Sequence, residues 1–140
     1  MSGKLDVIET TLQKSNRILN LIEEHYRWEE RRNQSYSALR AVLQTLRDRL
    51  TVDQAARFSD QLPLLLRGVF FEGWQPSKVP VKMSGQDFVE RVRGKFVFST
   101  TEDIEDLISV VMTAVADGMN PEQVEKISRE LPDDVAKLLV

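Results

Sequence analysis

Apolar residues recur at steps of three and four from residue 8. Ile8, Leu12, Ile18, Leu19, Ile22 and Tyr26, with Ser15 in register, line one face of a first helix from about Leu5 to Arg27. After Asn33 and Ser35, either of which can accept from the free N–H groups of a new helix, Tyr36, Leu39, Val42, Leu43, Leu46 and Leu50 repeat the pattern. This predicts a deeply buried second helix. Thr51 is placed to cap a third, Pro63 to open a fourth ending near Gly73. Residues 74–83 hold Pro76 and Pro80 and no helical period, so they read as a connector. Beyond it, Ser84 caps a helix carrying Phe88 and Val92. Ser99 and Glu102 have capping-box spacing ahead of Ile104, Leu107, Ile108, Val111, Met112 and Val115, and Asn120-Pro121 starts a further helix. Lys95-Phe-Val-Phe-Ser99 alternates like a strand, but a lone strand has no partner, so a buried loop is expected.

Sliding the chain by 69 residues lays 42–71 on 111–140 without a gap. Val42, Asp48, Gln54, Ser59, Leu62 and Pro63 meet identical residues, and Thr51 meets Asn120, so caps, core positions and the Leu-Pro break coincide. The expected architecture is all-α: a helical bundle of two related three- or four-helix halves, about 5–73 and 84–140, packed about a pseudo-twofold as one domain. The copies part after the break, where only the first acquires an aromatic cluster.

Composition narrows the function. With no Cys and a single histidine, His25, there is no disulfide framework, thiolate or His-cluster metal site, or Cys nucleophile, and no cofactor is expected. The longest apolar run, Leu62-Pro-Leu-Leu-Leu66, falls far short of the roughly 20 residues a membrane span needs, and the N-terminus lacks a leader's apolar core. A cytoplasmic protein without membrane contact is expected. Residues 1–83 carry 13 Lys+Arg against 10 Asp+Glu, and residues 84–140 carry 6 against 12, which favours docking of one half on the other. The arginines at 27, 31, 32, 40, 47, 49, 57 and 67 read chiefly as solvated faces paired with Glu29, Glu30, Asp48, Asp53 and Asp60. Nucleic acid is not an expected partner, because the pI is 5.3 and no zinc-finger spacing or aromatic RNA-binding motif is present.

At Ser37-Ala-Leu-Arg-Ala-Val-Leu43, Leu46-Arg-Asp-Arg-Leu50, Gln61-Leu-Pro63 and above all Arg67-Gly-Val-Phe-Phe-Glu-Gly-Trp74, the chain resembles the bacterial domain-of-unknown-function 2267 family. Thr11-Leu-Gln-Lys14, Trp28-Glu29 and Pro80-Val-Lys82 extend the resemblance over nearly the whole chain, and the Leu138-Leu-Val140 end departs from it. The resemblance implies a small cytoplasmic helical protein of bacteria with no established enzymatic activity.

No catalytic set emerges. His25 sits among Glu23, Glu24 and Arg27 as a surface residue, and the acid pairs Glu29-Glu30, Asp103 with Asp106, and Asp133-Asp134 serve dipoles and solubility. Six scattered glycines form no phosphate loop. The candidate binding residues are Arg67, Phe70, Phe71, Glu72, Trp74, Lys78 and Lys82, where aromatics beside charges at a helix end resemble a hot spot. Cementing of the two halves by Phe70 and Trp74 is the competing reading. The expected function is a non-enzymatic protein-interaction or regulatory module with an unidentified protein partner. Homodimerisation through the long first helix stays open, as does packing of that helix wholly within its own domain. The alternative is a binder of small apolar or aromatic ligands in the inter-repeat groove beside Phe71 and Trp74. An enzyme would require a set such as Glu72, Arg67 and Tyr36 in one cleft.

Overall fold

The computed structural model describes residues 5–98 and 102–139. Their regular structure is helical: α1 (Asp6–Tyr26), α2 (Arg32–Arg49), α3 (Val52–Ser59), α4 (Leu64–Phe71), α5 (Gly85–Lys95), α6 (Ile104–Ala116), α7 (Pro121–Glu130) and α8 (Asp133–Ala136). Short 3-10 turns occupy Pro76–Lys78 and Lys137–Leu139, and no strand occurs among the described residues.

The first helix follows its apolar stripe only in part. Thr11, Ser15, Ile18 and Ile22 are buried, but Ile8 is 47% and Leu12 41% exposed, so the N-terminal turns of α1 leave the body. Arg27 ends the helix in the left-handed conformation (φ 57), and Glu30 takes a second positive φ in the turn to α2. Neither Asn33 nor Ser35 caps α2, which begins earlier, at Arg32, without a side-chain cap. Ser35 instead lies within the helix, donating to the Glu23 carboxylate and to the Arg32 carbonyl at 3.0 Å. Every residue from Ala41 to Arg47 is buried, which makes α2 the centre of the molecule, while Tyr36 at its start is 40% exposed.

The later helix starts follow local chemistry. Thr51 and Gln54 form a reciprocal capping box on α3, Ser84 and Asp87 do so on α5, and Asn120 accepts from the Glu122 N–H at 2.9 Å with Pro121 in the first turn. Asp103, accepting from Glu105 N–H at 3.1 Å, caps α6; Ser99 of the expected capping box lies outside the described residues. Pro63 (φ −54°, ψ 145°) and Pro132 (φ −56°, ψ 146°) precede α4 and α8 in the same extended geometry, and the leucines before them are buried. The segment after α5 is a loop, but only Phe96 is buried; Val97 is 78% exposed.

One core joins these elements. Ile22, Leu39, Leu43, Leu46, Leu50, Phe70, Phe88, Leu107 and Ile108 are fully enclosed, each large side chain worth about 1.5–3 kcal/mol of burial. α2 packs on α1, α4, α5 and α6; α6 packs on α1, α2, α5 and the final 3-10 turn; α3 lies on α7, α1 on α4, and α5 on α8. Charge crosses the seam, with Arg17 on Asp117 at 2.8 Å and Arg57 on Glu130 at 3.4 Å. Both pairs are solvent-facing and worth at most about 1 kcal/mol, so they orient more than they stabilise.

Candidate functional site

The residues expected to form a hot spot are largely tied into the structure. Phe70 is fully buried, its ring 5.4 Å from Phe58 and 5.0 Å from Phe71, so it is core and offers nothing to a partner. Phe71 and Trp74 are half-buried and packed on each other at 4.9 Å. Arg67 turns back to donate to the Leu62 and Asp60 carbonyls at 3.2 and 3.3 Å. Glu72 is paired with Arg40 at 3.1 Å, while Lys78 and Lys82 are exposed on the connector. Tyr36 does not join Arg67 and Glu72 in one cleft: the cleft that Arg67 lines contains neither.

Two buried polar residues hold this segment, and sequence reading missed both. Gln44 donates to the Val69 carbonyl at 2.9 Å. Arg47, 4% exposed, donates to the Phe70 carbonyl at 3.1 Å and the Glu72 carbonyl at 2.6 Å, and its Nε donates to Asp48 at 2.9 Å. A cation on the free carbonyls at the end of α4 offsets the partial negative charge there. Their positions on the buried face of α2, directly after Leu43 and Leu46, were the available signal; the surrounding run of arginines masked it.

An opening lies elsewhere. A cleft of about 530 Å³ is walled by Lys14, Arg17 and Ile18 of α1, by Asp60 to Pro63 and Arg67 around the α3–α4 turn, and by Ala114, Val115, Asp117 and Gly118 at the end of α6. Its walls thus come from both sides of the connector, and neither Phe71 nor Trp74 is among them. A smaller one of about 330 Å³ adjoins it along α1 and α6, bounded by Leu21, His25, Asp106 and Thr113.

At that second opening the Tyr26 hydroxyl donates to Asp106 at 2.7 Å, and His25 stands 4.0 Å from the same carboxylate. Burial first, then the hydrogen bond and charge of Asp106, with Glu102 and Asp103 adding, push the Tyr26 hydroxyl above the usual phenol range. It stays protonated and cannot serve as a base near neutrality. Two groups on one exposed carboxylate do not make a nucleophile relay. Among the described residues, no group of three His, Cys, Asp or Glu side chains converges to hold a metal ion.

The sequence pattern of an uncharacterized conserved protein family, DUF2267, matches residues 15–138. The chain belongs to that family. No curated protein matches it. The DUF2267 match runs from the middle of α1 into the last 3-10 turn and so takes in most of the cleft wall, with Lys14 just outside it. No helix among the described residues is long and apolar enough to cross a membrane.

Proposed function

We propose that this DUF2267 protein is a non-enzymatic interaction module of the bacterial cytoplasm, built from two related halves, and that it binds a protein partner at the cleft between them. One observation carries this reading: α1 and α4, which wall the cleft, leave Leu5, Ile8, Leu12, Leu64 and Leu65 each 41–62% exposed. α1 and α4 pack on each other, with the Leu65 N–H donating to Thr11 at 2.8 Å, so these exposed apolar side chains sit on adjacent helices next to the cleft that Lys14, Arg17 and Arg67 line, and they suit a partner surface more than solvent.

The duplication is supported by packing. Exchanging α1 with α5, α2 with α6, α3 with α7, and α4 with α8 and its 3-10 turn leaves the set of interhelix contacts almost unchanged: α1–α6 becomes α5–α2, and α1–α4 becomes α5–α8. The same 69-residue offset relates the helix ends Tyr26 and Lys95.

The test is affinity capture from a bacterial lysate with quantitative mass spectrometry, followed by direct binding of the purified candidate. Wild type is compared with a Leu12→Lys/Leu64→Lys variant and a Phe71→Ala/Trp74→Ala variant, each checked for fold. The expected result is one protein enriched by wild type and lost with Leu12→Lys/Leu64→Lys. Absence of any enriched protein, together with a melting temperature raised by a small metabolite, would replace this reading with the small-ligand alternative, which the 530 Å³ cleft supports.

A further inference from the structure

The geometry points to an extended peptide segment, apolar at alternate positions and carrying an acidic residue, as what the cleft receives. This deepens the interaction-module reading and rests on it.

The chain shows how such a groove is filled. In the second half, the connector ahead of α5 bends at Pro80, after a cis Val79–Pro80 bond, and then crosses the end of α2. Val79 and Val81 are half-buried and Met83 buried, while Pro80 and Lys82 between them face solvent. That alternation is the two-residue period of extended backbone. The Val81 N–H donates to the Asp48 carbonyl at 2.7 Å, fixing the connector on the helix end.

The first half has the matching helix end without the strand. Asp117 stands 69 residues after Asp48 and Gly118 after Arg49, and both line the cleft. Among the described residues no backbone N–H donates to the Asp117 carbonyl. Where Met83 plugs the second half, Lys14 lines an open space in the first. A free helix-end carbonyl beside an apolar floor of Ile18, Leu62 and Val115 asks for what Val81 and its neighbours supply opposite: one N–H flanked by apolar side chains.

Charge sets the remaining preference. Arg17 is balanced by Asp117, whereas Arg67 donates only to carbonyls and Lys14 has no ion pair among the described residues. Against these two cations stands Asp60, leaving the cleft net positive, so an acidic residue in the segment is favoured where the connector carries Lys82.

The probes are two capped peptides, Lys-Val-Pro-Val-Lys-Met-Ser, which is this chain's own 78–84, and the same peptide with glutamate in place of the second lysine. Binding to the full chain is followed by amide resonance shifts at low salt. The expected result is shifts confined to 14–18, 60–67 and 114–118, with the glutamate peptide at least about fivefold tighter. Gly118→Asp adds a carboxylate to the cleft wall where an added Cβ meets nothing within 4 Å, so it should fold normally and weaken binding of the glutamate peptide at least about fivefold. Lys14→Glu, on an exposed position, should reverse the preference between the peptides. Absent shifts, shifts elsewhere, or Gly118→Asp binding the glutamate peptide like wild type would overturn the inference. If the wild-type chain captures the partner of the preceding section while neither peptide binds, the peptide mode falls and the module stands; if capture and peptides both fail, both fall.

Discussion

The two Leu-Pro breaks make the same turn and then lead to different ends. Pro63 and Pro132 agree within 2° in both backbone angles, yet α4 runs for 8 residues while α8 stops after 4 and tightens into a 3-10 turn. The first end is held from below: Gln44 and Arg47 on α2 take three of its carbonyls, and Phe70 fills the core. In the second half the matching positions on α6 are Thr113 and Ala116, and Leu139 stands where Phe70 does. Thr113 bonds its own helix at Ser109, and Ala116 has no donor to offer. Local chemistry thus sets a turn, and donors from a distant helix set how far the next helix continues.

That contrast can be broken most severely at the aromatic. Phe70→Ala should cost about 3–5 kcal/mol, and Leu139→Ala, half-buried, about 1–2 kcal/mol, read from urea unfolding midpoints. Equal losses would mean that the two ends contribute alike. Arg47→Met, which keeps the length but removes the donors, should cost about 2–3 kcal/mol and speed amide exchange from Val69 to Trp74 while sparing 135–139. A uniform rise across both ends would dissolve the difference. At the caps the halves should agree: Thr51→Ala and Asn120→Ala are each expected to lower stability by about 1 kcal/mol, because each removes one acceptor from a helix start.

The smallest effect appears only in alkali. Tyr26 ends α1 and Lys95 ends α5, and their titrations are displaced in opposite directions. The folded state raises the Tyr26 value, so above pH about 10 the unfolded chain gives up this proton first and stability falls as pH rises; Tyr26→Phe should fall less steeply. Burial lowers the Lys95 value, helped by Arg47, Arg40 and Arg91 and opposed by Asp48. The unfolded chain therefore holds that proton longer, and stability rises with pH between the lowered and the ordinary lysine value. Lys95→Met should remove that rise, and parallel curves for wild type and both variants would contradict the assignment.

The all-α class and most helix starts were legible because they depend on neighbours within four residues. Thr51, Ser84 and Asn120 carry their acceptors to N–H groups two or three positions on, and Pro63 and Pro132 fix their own φ whatever surrounds them. The family was legible too, since Arg67 to Trp74 is a linear string. What stayed out of reach depended on residues brought together from far apart. An arginine reads the same whether it faces water, as Arg31 does, or lies buried under a helix end, as Arg47 does; only the packing of α4 on α2 separates them. The aromatic string looked like a surface and became a tether for the same reason. The cleft is the fullest case: its walls come from residues 14–18, 60–67 and 114–118, three segments far apart in the chain. Periodicity, caps and proline breaks determined the helices of this protein. Which of their faces are covered, and where a partner finds room, was decided by the tertiary structure, because burial is a property of pairs of segments and not of either one alone.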